Sequence, residues 1–455
     1  MIVLPESFIQ SLEGLPGFDK EAFVGVHENG EQITSVRLNE FKPFDPTRHP
    51  FLHQTTPIPW CTSGYYLLER PLFVKDPLWH AGAYYVQEAS SMFLQYILSQ
   101  IYPTPSHQVV LDLCAAPGGK TTLLANYFKQ GLVVANETIK NRNHILVENT
   151  TKWGADHVVV SQNDPSHFKS LPQFFDLILI DAPCSGSGLF RKDPKAIEEW
   201  SLDHVQHCSV RQTRIIEDTW TSIKEGGYLI YATCSYSKAE DEQMMDYISS
   251  LEGMKNIAVE LPTSFNMVET ISDVHQAKGY RAYPNLIKGE GFFIAVFQKQ
   301  SSSGAYAINA SHGLMDSTKN EKEILSNYFK LPLGKYLITH QQNLIALSET
   351  WKEQLQIIAS HLYIKKMGMT IGAIKGKDLI PSHDLAMSDG SVLPYEKAEV
   401  DLETALQYLR RADITIEGKK GWVLLTYMQI GLGWVKALPN RSNNYYPNEW
   451  RILNY

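Results

Sequence analysis

The chain has 455 residues, enough for roughly two to four domains with a sizeable core. Hydrophobic residues make up 44% and charged residues 20%, a globular balance that argues against a disordered or fibrous protein. The net charge of −8 excludes a uniformly basic nucleic-acid binder but leaves room for a local basic face.

Residues 1–80 are mixed in pattern. Leu15-Pro16-Gly17-Phe18 is a turn, Thr34–Leu38 alternates like a strand, and the prolines from Pro43 to Pro59 predict an extended loop. Tyr84–Met92 leads into Phe93, Tyr96 and Ile97, whose spacing predicts an amphipathic helix before the core. From about 108 the alternation of apolar runs and helical patterns is regular. Strands are expected at 109–113, 132–136, 157–161, 176–180 and 228–233, and helices at 119–129, 139–153 and 201–224. A last strand pair is expected around Ile287 and over Gly291–Phe297. Such alternation predicts an α/β fold with a doubly wound, mostly parallel sheet, whose ligands sit at the carboxyl ends of the strands. Ser- and Gly-containing residues 301–320 read as a linker. A helix near 320–330, a Gly- and Lys-rich stretch at 371–377, a helix through Leu402, Leu406 and Leu409, and strands at 423–427 and 433–436 follow. The divisions drawn are 1–80, a core of 81–300, the linker, an intermediate region of 321–390 and a small β-rich module of 391–455.

Chemistry gathers where the core strands end. Val109–Leu113 breaks into Cys114-Ala115-Ala116-Pro117-Gly118-Gly119-Lys120 and then a helix. A strand, a tight glycine turn and a helix N-terminus together hold a nucleotide-like ligand. The turn is neither G-x-x-x-x-G-K-[ST] nor G-x-G-x-x-G. Glu137 ends the next strand, where a carboxylate suits a ribose diol. Asp164 follows the third strand, Asp181-Ala182-Pro183-Cys184-Ser185-Gly186 the fourth, and Thr233-Cys234-Ser235 the fifth. These ends should surround one pocket. The five cysteines show no C-x-x-C spacing, and no metal is expected. Their odd number, with no signal peptide, predicts a reducing cytoplasm. No apolar run reaches ~18 residues, so no membrane span is expected. Free cysteine is usually a small buried hydrophobe, and Cys114 inside its turn reads so. Cys184 and Cys234, each beside a serine after an apolar strand, read as candidate nucleophiles that a cation such as Lys120 would activate.

The motifs at 114–120, 181–186 and 233–235 resemble those of the Fmu/Sun/NSUN family of RNA cytosine-5 methyltransferases. Leu15–Phe18, Gln87-Glu88-Ala89-Ser90-Ser91-Met92 and the closing Asn443–Ile452 resemble its RsmF subgroup, so the likeness spans nearly the whole chain. It implies a Rossmann-like class I methyltransferase core, a small N-terminal α+β domain of RNA-binding type and a C-terminal PUA-like module. It implies S-adenosylmethionine as cofactor, with Cys114 to Lys120 around its methionine part, Glu137 on the ribose, Asp164 on the adenine side and Asp181 between cofactor and cytosine. Cys234 would be the nucleophile, Cys184 would help release product, and Lys120 would lie near the reacting centre. RNA, most of all 16S ribosomal RNA or the small subunit, would be the partner, and a monomer is expected. The alternatives are the same chemistry on transfer RNA and a non-catalytic RNA-binding assembly factor, against which the cysteine pair and cofactor loop argue.

RNA contact is expected from Arg191, Lys192, Lys195, Arg211 and Arg214. Near the chain end it is expected from Lys436, Arg441 and Arg451 with Trp434, Tyr445, Tyr446 and Trp450, of which about half would be core instead. The chain departs from the family pattern at Asp241, where asparagine is expected, and at Ser442 and Asn448 in the closing motif.

Overall fold

The structure is a computed structural model that describes residues 2–302, 304, 308, 310, 313–328, 330–388, 395–439 and 441–453. Its centre is a ten-stranded sheet. In chain order its main strands are β1 (Val109–Asp112), β2 (Leu132–Asn136), β3 (Val158–Ser161), β4 (Phe175–Asp181), β5 (Ile223–Thr233), β6 (Val268–Ile271), β7 (Lys278–Ala282), β8 (Phe292–Lys299) and β9 (Ile364–Met367). They lie in the order β6-β7-β8-β5-β4-β1-β2-β3-β9, and Met254–Asn256 pairs with β8 off this path. β5, β4, β1, β2 and β3 are parallel to one another. Every residue of β1, β2 and β3 is buried. This is why they read as unbroken apolar runs: a parallel strand is covered on both faces.

One face carries Phe93–Ile101, α1 (Gly119–Tyr127) and α2 (Lys140–Trp153), with Phe93, Ile97, Leu124, Leu146 and Trp153 in one apolar cluster. The other carries α3 (Leu202–Thr219), Glu242–Ser250 and Lys352–His361, with Ile216, Met245, Leu355 and Ile358 in a second cluster. Ser201 caps α3 by accepting from the His204 N–H. The helix expected over 201–224 therefore exists but stops at Thr219. After a short 3₁₀ turn, β5 starts at Ile223, five residues ahead of the expected 228. Gly226 (φ 78°) and Gly227 sit where its register against β4 shifts. The glycines absorb a bulge that an apolar-run reading mistakes for the strand's beginning.

The N-terminal strands Ser35–Leu38, Thr55–Ile58, Cys61–Leu67 and Tyr84–Val86 form a four-stranded sheet. The loop expected from Pro43 to Pro59 thus contains a 3₁₀ turn at Pro46–Arg48 and a strand. Pro57 is tolerated because that strand lies at the sheet edge, where an N–H can be spared. Lys335–His340, Asn343–Ser348, Met369–Lys375 and Asp378–Pro381 make a second small sheet, and Glu396–Glu399, Gly421–Tyr427, Ile430–Leu438 and Arg441–Asn444 a third. The third packs on the N-terminal sheet through one apolar cluster that holds Val36, Leu78, Tyr84, Tyr408, Leu432 and Tyr446. Part of the expected linker, and the 390/391 division, lie outside the described residues. Among the described residues no helix is long and apolar enough to cross a membrane.

Candidate active site

β1 delivers its chain into the turn 114–120. Ala115 N–H donates to Asn136 O (2.8 Å), and Arg142 and Asn149 donate to the carbonyls of Ala116 (2.7 Å) and Pro117 (2.8 Å). Helix α2 thus fixes the turn from the side. The Ala116–Pro117 peptide is cis. Gly118 takes φ 111°, and a Cβ there would lie 3.3 Å from Leu146, so the position requires glycine. Gly119 then opens α1.

The strand ends converge as expected. A cavity of about 510 Å³ is lined by Cys114, Glu137, Asp164, Asp181, Cys184 and Cys234, with apolar walls from Leu113, Ile139, Pro165 and Ile215. A recess of about 170 Å³ shares Cys114 and Asp181 with it and adds Ala115, Ala116, Pro117, Gly119 and Lys120, closed by Gln87 and Glu88. Gly118 lines neither; its role is the turn itself. Lys120 Nζ lies 2.7 Å from Asp181 Oδ2. Burial alone would favour neutral Lys120, but Asp181 outweighs it and raises the ammonium pKa, so the ion pair persists. Beneath it, buried Asp112 accepts from Thr121 Oγ1 (2.6 Å), and burial pushes its carboxyl up to about 7.

Cys184 Sγ and Cys234 Sγ are 3.1 Å apart. The hydrogen bond to Cys234 and burial push the Cys184 thiol well above its ordinary value. A protonated Cys184 can therefore donate its S–H to the Cys234 sulfur. Burial likewise raises the Cys114 thiol, which keeps it an inert thiol beside the cavity.

A residue that sequence reading overlooked ties the two cysteine loops together. Buried Glu240 accepts from Ser185 N (2.8 Å), Ser185 Oγ (2.5 Å), Ser235 Oγ (2.6 Å) and Gln212 Nε2 (3.1 Å). Ser185 follows Cys184 and Ser235 follows Cys234, so one carboxylate sets both. Gly188 N–H also donates to Cys234 O (2.7 Å), and a Cβ on Gly188 would come within 2.6 Å of that oxygen. Asp241 accepts from Thr233 Oγ1 (2.7 Å) and pairs with buried Arg281 (3.0 Å), which also meets Glu242. A buried guanidinium needs this countercharge, which accounts for an acid at 241.

Glu137 accepts from Ile139 N–H (2.9 Å), with Arg142 3.4 Å from its other oxygen. Asp164 caps the following turn through Ser166 N–H (3.1 Å) and holds Arg214 (2.9 Å). Arg214 is thus half spent on Asp164 and Asp218. Arg191, expected at phosphates, is buried beside Glu290 (3.6 Å) and donates to Glu31 O. Lys192, Lys195 and Arg211 are exposed.

Three family models match: 16S rRNA methyltransferase RsmB/F over residues 100–298, the N-terminal domain of 16S rRNA methyltransferase RsmF over 4–89, and the methyltransferase RsmF PUA domain over 395–452. The ribosomal RNA small subunit methyltransferase F of Vibrio cholerae is 32% identical over 98% of this chain and 98% of its own. The chain belongs to the ribosomal RNA small subunit methyltransferase F family. The Shewanella woodyi member is 30% identical over 86% of this chain and 84% of its own. Among solved structures, a methyltransferase homologue from Pyrococcus horikoshii is 25% identical, with a TM-score of 0.52 over 65% of this chain and all (100%) of that one. NSun6 from the same organism, solved with SFG, shares the fold at 20% identity and a TM-score of 0.54, over 66% of this chain and 99% of its own. For this methyltransferase family the cofactor is S-adenosylmethionine, and the cavity fits it. A volume of about 510 Å³ suits a nucleoside-sized ligand, and carboxylates stand at the ends of β2 and β3.

At the chain's end, Trp434 and Tyr446 are core, each 1% exposed. Trp434 donates to Ser382 O, and Tyr446 OH meets His80. Trp422, missed by the sequence reading, pairs edge-on with exposed Tyr445 (4.5 Å) under the Lys436 ammonium (5.5 Å).

Proposed function

We propose that the chain methylates C5 of cytosine in RNA, most of all the 16S RNA of the small ribosomal subunit, through a covalent adduct. S-adenosylmethionine supplies an electrophilic methyl group. Glu137 would hold its ribose, Asp164 its adenine side and the 114–120 turn its methionine part. Cytosine C5 is too weak a nucleophile on its own. Addition of the Cys234 sulfur to C6 would make C5 enamine-like, able to take the methyl group as its bond to the cofactor's sulfonium sulfur breaks and the neutral thioether S-adenosylhomocysteine leaves. Asp181, held by Lys120, would face the pyrimidine edge and stabilise charge that develops there. Transfer of the C5 proton to a base and breakage of the C6–S bond would then restore the double bond and free Cys234, assisted by Cys184. The target base would be flipped out or already unpaired. Trp422, Tyr445 and Lys436 would take up RNA elsewhere in the 391–455 module, with stacking and one cation.

The observation that carries this reading is the 3.1 Å approach of two cysteine sulfurs at the wall of the cofactor cavity, beside the Lys120–Asp181 pair. A purely structural cysteine pair would not need a cavity, a cation and a carboxylate at the same point. Incubation of small-subunit RNA and assembled subunits with S-adenosylmethionine, followed by bisulfite sequencing, should reveal a new bisulfite-resistant cytosine. Cofactor turnover with methylation at any other atom or base would refute it.

A further inference from the structure

Residues 299–394 fall outside all three matched family models. They nevertheless enter the methyltransferase sheet. β9 pairs antiparallel with β3, Ile364 opposite Ser161 and Met367 opposite Val159. Trp351, Leu355, Ile358, Leu362 and Met367 join the apolar cluster of that face with Val134 and Val159. β3 is the strand that Asp164 follows.

The pairing continues past the end of β3 through a side chain. Gln162 N–H donates to Tyr363 O (3.0 Å). The Asn163 amide then bonds both main-chain groups of the same residue, with Nδ2 donating to Tyr363 O (3.3 Å) and Oδ1 accepting from Tyr363 N–H (3.0 Å). An amide used this way stands in for one more ladder step. The Asn163 backbone meanwhile faces the neighbouring strand end. Its N–H donates to Asn136 Oδ1 (2.9 Å), and its carbonyl accepts from Asn136 Nδ2 (2.9 Å) and Thr138 Oγ1 (3.0 Å). Asn136 precedes Glu137, and Asn163 precedes Asp164. Both asparagines are buried, at 0% and 6% exposure. The two carboxylates that line the cavity are thus each one residue from a single hydrogen-bonded link, whose far end is β9.

We propose that the segment outside the three matched domain models completes the cofactor site, with Asn163 as the positioning residue through which β9 holds Glu137 and Asp164 at a common spacing. The inference rests on the cavity being the S-adenosylmethionine site. Tyr363 acts through its main chain alone, and residues 362–367 do not line the cavity.

The test uses the full chain. In Asn163→Ala, calorimetry should find the S-adenosylmethionine Kd raised about tenfold, as expected for a few buried hydrogen bonds. Turnover at saturating cofactor should stay near wild type, so that KM for the cofactor moves and kcat does not. Asn163→Asp keeps the bond from Tyr363 N–H but cannot donate, and should fall between. Tyr363→Ala keeps every main-chain bond and should bind as wild type does. Independently, S-adenosylmethionine added to the wild-type protein should slow hydrogen exchange in the 362–367 peptide, which decides the matter should Asn163→Ala lose its fold. Wild-type affinity in Asn163→Ala, or cofactor protection that stops at β3 and leaves 362–367 unchanged, would overturn the proposal. Failure of the wild-type protein to bind S-adenosylmethionine would instead overturn the cofactor assignment beneath it.

Discussion

Removal of the Glu240 side chain should disable both cysteine loops at once. In Glu240→Ala four donors lose their acceptor: Ser185 N–H, Ser185 Oγ, Ser235 Oγ and Gln212 Nε2. The donors are not equally stranded. The two hydroxyls are 3.4 Å apart and can turn toward each other, and Gln212 Nε2 keeps Pro183 O at 3.1 Å. Ser185 N–H and one hydroxyl hydrogen are left buried without a partner, at about 1–3 kcal/mol each. A cavity of a few heavy atoms adds about 1 kcal/mol. The expected local destabilisation is therefore about 3–7 kcal/mol. Glu240→Gln keeps the size and one carbonyl oxygen, and the hydroxyls can rotate to accept from its amide, so its cost should be about 1 kcal/mol. Global urea unfolding is a poor assay, because a chain with several sheets need not unfold in one step. Hydrogen exchange of the peptides around Ser185 and Ser235 measures the local opening directly. A displacement near 1 Å of either sulfur would lower kcat about 100-fold. Glu240→Ala with unchanged local exchange and wild-type kcat would refute the reasoning.

Other expectations follow from the same geometry. Glu137→Ala should raise the S-adenosylmethionine Kd by about 10- to 100-fold in calorimetry, the loss of charge-assisted bonds to a diol. Cys234→Ala should give no RNA adduct on a denaturing gel, whereas Cys184→Ala should accumulate one through Cys234; the opposite pattern would reverse the assignment. Lys436→Ala combined with Tyr445→Ala should weaken RNA binding about 5- to 30-fold and leave cofactor affinity alone. His383 has both ring nitrogens buried and unpartnered, and burial lowers its pKa from 6.5 to about 3. A folded-state pKa below the unfolded value means that stability is intact above about pH 6.5 and is lost as pH falls from there toward 3. His383→Phe should flatten that acid limb in a thermal melt against pH; an unchanged limb would exclude His383 as its cause.

The parallel strands were legible because burial on two faces leaves a continuous apolar signature, and their carboxyl ends named the cavity residues in advance. Long-range pairs were not legible. Arg191 reads as a surface cation because its countercharge, Glu290, lies on a distant loop; only the fold makes it a buried pair. Glu240 opens the acidic run Glu240-Asp241-Glu242 after Thr233-Cys234-Ser235, and nothing in that run announces that it turns back on two serines. β9 escaped for a different reason. An edge strand pairs on one side only, so a short Ile364-Lys365-Lys366-Met367 segment suffices and resembles a loop. At the chain's end, composition gave the right mixture of aromatics and bases but not their sides. Trp434 and Tyr446 face inward, and Trp422 and Tyr445 pair beneath the Lys436 ammonium.

The spacing of the two cysteines is a consequence of sheet order. Cys184 and Cys234 follow β4 and β5, which are adjacent and parallel, with Asp181 opposite Ala232. Neighbouring strands lie about 4.8 Å apart, so two loops that leave the same edge start close enough for their sulfurs to meet. Adjacency alone leaves each loop free to bow away by several ångströms. Three links remove that freedom: Glu240 on both serines, Gly188 N–H on Cys234 O, and Tyr236 N–H on Ser187 Oγ (3.1 Å). Each joins the β4 loop to the β5 loop, so neither sulfur can shift without the other. An enzyme that adds one cysteine to a base and needs a second at the same base for release requires their separation to persist through both steps. Under the proposed mechanism, rigid coupling of the loops would meet that need.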